Sequence, residues 1–147
     1  MKTILKTITI STILFLAMAA HATGTIVKVN FETIDQGVWS HYKINDKQHI
    51  IEIYNQNDWQ AFWNQHTESI TPAPKLPAVD FQKYFILIAI DEIRPSGGYA
   101  IEIKEITIDT AAENKPFAIT LQAKQPGSAS GNLSALTRPY HIVMVKK

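Results

Sequence analysis

An uninterrupted run of apolar residues, Tyr84–Ile90, places the strongest constraint on how this chain can fold. The run is too short to cross a membrane, for which a helix needs about 20 residues. A short apolar run bounded by polar sequence is instead typical of a strand that is buried on both faces. We therefore expect Tyr84–Ile90 to be a central strand of a sheet.

Alternation of apolar and polar residues predicts further strands along the chain. They lie at residues 25–32, 47–54, 99–108, 117–123 and 140–145, with a weaker candidate at 38–44. The alternation changes phase at Lys104–Glu105, where a β-bulge would absorb the extra residue. The turn Pro95–Gly98 is expected to close a hairpin between the central strand and the strand that follows it.

One segment has the pattern of a helix. Asn57 with Gln60 three residues later predicts an N-terminal cap, with Asn57 as the N-cap residue. Trp59, Phe62 and Trp63 then form one apolar stripe at helical spacing, and the pattern ends near residues 65–66. The prolines of residues 71–77 predict an extended connector. Together these patterns predict an α+β fold, mainly antiparallel β, in a single small domain with one short Trp-bearing helix.

Residues 1–22 have the organisation of a secretory signal peptide. Lys2 and Lys6 give a positive start, Ile8–Ala19 is mostly apolar, and Ala20–Ala22 is a small-residue cleavage site. We expect cleavage after Ala22, which leaves residues 23–147 as the domain, with no transmembrane anchor after cleavage. The predicted location is the periplasm or the outside of a bacterial cell.

The composition excludes several classes of function. The chain has 14 Lys and Arg against 13 Asp and Glu, so it lacks the broad positive charge of a nucleic-acid-binding protein. It contains no cysteine, which excludes disulfides, thiol catalysis and zinc–thiolate sites. The stability of the exported domain must therefore come from packing.

Residues for catalysis or metal binding do not form a recognisable pattern. The nucleophile motif G-x-S-x-G is absent, and the similar segment Gly127–Gly131 has Ala129 at the nucleophile position. The adjacent carboxylates Asp91–Glu92 would point to opposite faces of a strand. The remaining histidines, His41, His49, His66 and His141, do not have metal-binding spacing. We predict a protein that is not an enzyme and that has no metal site and no cofactor.

Two loop segments have the residue types of a protein contact surface. Glycines at a turn allow close approach of a partner backbone, and Arg and Tyr are common anchors of interfaces. The predicted partner-binding residues are Pro95, Ser96, Gly97, Gly98, Tyr99, Arg138, Pro139 and Tyr140. The alternative is that both segments are only well-formed turns. In a contact surface, Arg138→Ala and Tyr140→Ala should weaken partner binding and leave the melting temperature nearly unchanged.

The order of several short motifs resembles a known family. Val79–Phe81, the apolar strand, Pro95–Tyr99 and Arg138–Tyr140 follow one another as in the C-terminal domain of the protease complex subunit PrcB. The resemblance covers Gln48–Lys147. It implies a small exported domain without enzymatic activity, which binds another protein as an accessory or stabilising subunit of a secreted or envelope protease. A protease partner therefore rests on this resemblance.

A looser resemblance connects the chain with chagasin-type cysteine-peptidase inhibitors. Ser96–Tyr99, Gly127–Gly131 and Arg138–Tyr140 take the places of that family's three inhibitory loops. The chain departs from it by lacking the Asn-Pro-Thr-Thr-Gly sequence, by having Tyr140 where the family has Trp, and by its helix, which a plain immunoglobulin-like sandwich does not contain. Peptidase inhibition, and a structural envelope protein without a dedicated site, are the alternative functions.

Overall fold

The computed structural model describes residues 25–44, 47–111, 117–127 and 135–147. Within these residues the chain forms two antiparallel sheets and one helix. The elements in chain order are β1 (Ile26–Lys28), β2 (Phe31–Gly37), β3 (His49–Ile53), α1 (Gln56–His66), β4 (Tyr84–Ile90), β5 (Ala100–Asp109), β6 (Phe117–Lys124) and β7 (Tyr140–Lys146). The predicted α+β fold, mainly antiparallel, is confirmed.

Strand β4 is the centre of the fold, as its apolar sequence predicts. It lies between β3 and β7 in a four-stranded sheet of order β2-β7-β4-β3. Ile86 and Ile88 pack with the aromatic side chains of α1 on one face. Phe85 and Leu87 pack on the other face against the second sheet, which has the order β1-β5-β6. The fold therefore has three layers, and β4 is buried because a layer covers each of its faces.

The helix carries the predicted aromatic stripe but begins before the predicted cap. Asn55 is the N-cap residue: its side chain accepts a hydrogen bond from the Asp58 backbone N–H at 2.9 Å. Its amide also donates to the Asp58 carboxylate at 2.7 Å. The prediction of Asn57 as the N-cap is wrong: Asn57 lies inside the helix, whereas Asn55 has the extended backbone of an N-cap residue. The helix ends at His66, as predicted.

Hydrogen bonds from both tryptophans of α1 fasten the proline-rich connector to the helix. The Trp59 indole donates to the Pro77 carbonyl at 2.9 Å, and the Trp63 indole donates to the Pro74 carbonyl at 3.1 Å. Both rings are buried. Since a buried indole N–H needs an acceptor, the connector both covers the aromatic stripe and satisfies its polar atoms.

The predicted hairpin between β4 and the following strand is wrong. Both sides of β4 are already occupied by β3 and β7, so β5 pairs with β1 and β6 in the other sheet. The segment between Asp91 and Tyr99 therefore carries the chain from one sheet to the other. Residues 38–44 do not form the predicted strand either. Trp39 makes only an isolated bridge to Arg138.

The predicted β-bulge is present, and a histidine of the opposite sheet completes it. The register of β5 against β6 shifts between Ile103 and Glu105. The Ile103 backbone N–H donates to Nδ1 of His141 at 2.9 Å, and Nε2 of His141 lies 2.9 Å from the Thr33 hydroxyl. A backbone N–H can only donate, so Nδ1 carries no proton, and Nε2 is the ring nitrogen that donates to Thr33. Burial lowers the pKa of His141. The charge of Glu102 raises this pKa by a smaller amount, and the charge of Lys104 lowers it.

Two sequence predictions fall outside the described residues. The predicted signal peptide of residues 1–22 is one of them, and the segment Gly127–Gly131, compared above with an inhibitory loop, is described only at Gly127. Among the helices of the described ranges, none combines the length and the apolar character needed to span a bilayer.

Candidate functional site

Three loop segments meet at one end of the molecule. Arg94 and Thr137 exchange two backbone hydrogen bonds, at 2.7 and 3.0 Å. The Thr137 hydroxyl also donates to the Ser96 carbonyl at 2.8 Å. Gly98 lies against Pro126, which belongs to the segment after β6. We call this surface, formed by residues 93–99, 126 and 136–137 together with Val38, the loop end.

Only one of the two turn glycines is required by the backbone. Gly98 has a φ of 87°, which side chains other than glycine rarely adopt. A Cβ atom at this position would also lie 2.7 Å from Cβ of Pro126. A Cβ atom on Gly97 would have no neighbour within 4 Å. Gly98 is therefore needed for a contact within the chain, between the turn and the segment after β6, and the approach of a partner backbone stays a prediction.

A buried ion pair that the sequence analysis did not single out fixes the start of the turn. The Asp91 carboxylate accepts two hydrogen bonds from Arg94, at 2.9 and 3.0 Å, and its side chain is only 3% exposed. Arg94 also pairs with Glu92 at 2.6 Å, and its guanidinium lies 5.1 Å from the centre of the Tyr99 ring. The pKa of Arg94 is raised, mainly by Asp91. The spacing of a carboxylate and an arginine three residues apart is the signal that could have indicated this pair.

Exposed apolar side chains surround the turn. Val38 is 56% exposed, Ile93 39% and Leu136 62%. Ile93 and Leu136 are the neighbours of the bridged pair Arg94–Thr137, and the Val38 carbonyl accepts from the Arg138 backbone N–H at 2.9 Å. Exposed apolar side chains that cluster on a rigid frame are typical of protein contact surfaces. Sequence reasoning missed these residues because each is an ordinary apolar residue until the loops meet.

The second predicted segment lies inside the fold. Arg138 is 9% exposed and Tyr140 8%, and Pro139 is also buried. Arg138 donates from Nη1 to the Tyr42 carbonyl at 2.8 Å, and its Nε has no hydrogen-bond partner. Its backbone N–H and C=O hold the segment that follows β2. This burial does not fit the expectation that replacing Arg138 or Tyr140 leaves the melting temperature unchanged. The part of Arg138 and Tyr140 in partner binding stays a prediction.

Tyr140 belongs to a polar cluster between α1 and the four-stranded sheet. Its hydroxyl donates to Oδ2 of Asp35 at 3.0 Å, and the same oxygen lies 3.7 Å from Nε2 of His66. Nδ1 of His66 lies 2.9 Å from the Ser40 hydroxyl. Interaction with His66 and with Tyr140 holds the pKa of Asp35 below its usual value, against the effect of burial. Burial, assisted by Asp35, raises the pKa of Tyr140.

Ser40, His66 and Asp35 are the residue types of a catalytic triad, but a substrate cannot reach them. Ser40 and His66 are each 1% exposed, and the His66 ring is enclosed by Phe62 and Tyr140. A serine nucleophile must contact the carbon that it attacks, so a hydroxyl at this depth has no access to a substrate. Among the described residues, no group of three or more His, Asp or Glu side chains is placed to hold a metal ion.

Comparison with known proteins gives one match. The family model described as PrcB C-terminal matches residues 85–146. Searches of curated proteins and of solved structures returned no match. The matched segment contains β5, β6, β7 and all of β4 except Tyr84, and it includes most of the loop end. The predicted resemblance is thus confirmed over a shorter range than Gln48–Lys147. Residues 85–146 of the chain are thus similar to the PrcB C-terminal family.

Proposed function

We propose that this protein is an exported, non-enzymatic protein-binding domain that serves as an accessory or stabilising subunit of a secreted or envelope protease. The observation that carries the proposal is the family match over residues 85–146, since the family is named for a subunit of a protease complex. The predicted signal peptide of residues 1–22 supports the proposed export.

The loop end is the surface that we assign to the partner. Its turn, Pro95–Tyr99, is held by the buried Asp91–Arg94 pair and by the Thr137 hydroxyl. A surface that is already ordered loses little conformational entropy when a partner binds. The exposed side chains of Val38, Ile93 and Leu136 supply apolar area beside this turn. Arg138, Pro139 and Tyr140 support the surface from behind in this proposal.

A single exposed residue tests the assignment. Leu136 is 62% exposed, so Leu136→Asp should leave the fold intact while it places a charge in the apolar contact. Ile70→Asp is the matched control, because Ile70 is 44% exposed and follows α1, outside the loop end. The tagged protein and both variants are cross-linked in the bacterial envelope, and the captured polypeptides are identified by mass spectrometry.

We expect the unsubstituted protein and the Ile70→Asp variant to capture a protease polypeptide, and we expect Leu136→Asp to lose it. All three proteins should have similar melting temperatures. Equal capture by Leu136→Asp would move the contact away from the loop end. Failure of the unsubstituted protein to enrich any partner would favour a structural envelope protein without a dedicated site.

Peptidase inhibition is a second candidate because of the way the loops converge. Gly98 lies against Pro126, and Ser96 is joined to Thr137, so the Ser96–Tyr99 loop contacts the residues that directly precede the other two loops of that resemblance. The helix layer nevertheless departs from a plain two-sheet sandwich. Titration of the purified protein against papain-like and serine peptidases separates the two candidates. Lack of inhibition at micromolar concentrations of the protein would exclude peptidase inhibition as its function.

A further inference from the structure

Strand β3 is an open edge of the four-stranded sheet. It pairs with β4 on one side only, through His49–Ile53. Among the described residues, no backbone hydrogen bond joins its other side to another segment. An exposed strand edge carries unpaired N–H and C=O groups, which can pair with a further strand. The edge is therefore a site at which an extended chain could add to the sheet.

A groove runs between this open edge and α1. Its volume is about 440 Å³, within the range of ligand-binding clefts. Its lining is mixed: Ile51, Ile53 and Phe62 contribute apolar atoms at its base, and Asp58 and Gln65 contribute polar atoms from the helix. Ala61 on the helix leaves the groove open because its side chain is only a methyl group. A strand added to β3 would present every second side chain to the helix, and hence to this groove. The groove thus favours apolar residues at alternate positions of an added strand.

The side chains of such a strand that face away from the groove would meet negative charge. Ile51 and Ile53 point towards α1, so Glu52 between them points to the other face of the sheet, where it is exposed. Its carboxylate accepts from the Tyr54 hydroxyl at 2.5 Å, and no described cation lies within ion-pair distance of it. Asp58 lies on the helix side of the groove, where its carboxylate accepts from the Asn55 amide at 2.7 Å. Cross-strand pairs of opposite charge stabilise neighbouring strands.

We propose that the β3 edge and its groove bind an extended segment of a partner polypeptide in which apolar and basic residues alternate. The apolar side chains enter the groove between β3 and α1, and a lysine or arginine lies beside Glu52. Backbone hydrogen bonds to β3 supply affinity that does not depend on the sequence of the partner, and the groove supplies the selectivity for particular side chains. This surface is separate from the loop end and goes beyond the proposed function.

Synthetic peptides test the proposal on the purified protein by isothermal titration calorimetry. The probe is a capped seven-residue peptide of alternating valine and lysine. One control replaces lysine by glutamate, and the other carries N-methyl groups on alternate backbone amides, which removes the donors needed for strand pairing. We expect the probe to bind, and each control peptide to bind about tenfold more weakly or worse.

Variants of exposed residues separate the groove from the rest of the molecule. Ala61→Trp should fill the groove and weaken binding of the probe by about tenfold or more. Gln60→Trp, an exposed position of the same helix that does not line the groove, is the matched control and should bind normally. Glu52→Gln keeps an acceptor for Tyr54 and should weaken binding by about fivefold at low salt.

The outcomes also distinguish this proposal from the loop-end assignment. Leu136→Asp should bind the probe normally, whatever its effect on capture of the envelope partner. Absence of probe binding, or equal binding by Ala61→Trp and Gln60→Trp, would overturn the proposal. Self-association of the protein that Ala61→Trp abolishes, without binding of the probe, would assign the edge to a second copy of this chain and would also overturn it.

Discussion

Replacement of His141 by phenylalanine tests how the two sheets are joined. The imidazole ring is 2% exposed, accepts the Ile103 backbone N–H and donates to the Thr33 hydroxyl, both at 2.9 Å. Strand β1 pairs with β5 only at Thr107–Asp109, so it does not reach Ile103. A phenylalanine ring fills a similar space but leaves the buried Ile103 N–H without an acceptor. The variant therefore isolates the hydrogen bond from the packing.

The expected loss of stability follows from that unpaired donor. A buried polar group that loses its partner costs about 1–3 kcal/mol of the free energy of unfolding. For a domain of this size, 1 kcal/mol corresponds to about 4 °C in melting temperature. We therefore expect His141→Phe to lower the melting temperature by about 4–12 °C. His141→Gln, whose amide can accept from Ile103 and donate to Thr33, should lose less.

The pH dependence gives a second and independent measurement. Burial lowers the pKa of His141 in the folded protein below its ordinary value of 6.5. As the pH falls below 6.5, the unfolded chain takes up a proton that the folded protein excludes, so the free energy of unfolding falls. The decrease is at most about 1.4 kcal/mol per pH unit and ends at the folded-state pKa. His141→Phe and His141→Gln should both lack this contribution.

Urea unfolding, followed by tryptophan fluorescence, measures both effects. The experiment is done at about pH 7.5 and about pH 5.5 for the unsubstituted protein and both variants. Between the two pH values, the unsubstituted protein should lose more of its free energy of unfolding than either variant, because only its His141 takes up a proton on unfolding. The reasoning would be refuted by equal stability of His141→Phe at the higher pH, or by the same pH dependence in all three proteins.

Three further substitutions test the loop end and its support by thermal unfolding. Gly98→Ala should lose about 1–3 kcal/mol, because the backbone has a positive φ and the added methyl group has no space, whereas Gly97→Ala should be nearly neutral. Arg138→Ala should lose about 1–3 kcal/mol, because a buried carbonyl loses its donor; an unchanged melting temperature would return Arg138 to the surface. Tyr140→Phe keeps the ring but removes the hydrogen bond to Asp35, and should lose about 1–2 kcal/mol of the free energy of unfolding.

The parts of the fold that the sequence predicts are those set by local pattern. The apolar run of β4 requires cover on both faces, and the stripe of Trp59 and Trp63 provides one of the covers. The bulge after Ile103 could be predicted because the alternation of apolar and polar residues changes phase there, and one extra residue in the strand explains such a change. The cap was misplaced because Asn55 and Asn57 are both competent N-cap residues, and only the hydrogen bond with Asp58 chooses between them.

Strand pairing and the site could not be predicted because they depend on which distant segments meet. The alternation in β5 is the same whether its neighbour is β4 or β6, so nearness in sequence suggested a hairpin that the structure does not contain. Arg138 has the residue type of an interface anchor, but the segment after β2 covers it. Leu136 has no distinguishing sequence pattern, and it is part of the proposed contact surface only because Thr137 is bridged to Arg94.

The family match and the three-layer packing divide the molecule into two parts with different roles. Residues 85–146 supply β5, β6, β7 and all of β4 except Tyr84. The edge strands β1, β2 and β3 and the covering helix α1 lie outside the match. Without α1, the face of β4 that carries Ile86 and Ile88 would be open to solvent, so the matched segment needs the preceding residues to close its core. The family match therefore bears on the loop end, most of which lies within residues 85–146. The β3 groove is built outside the match, and its binding must be established on this chain itself.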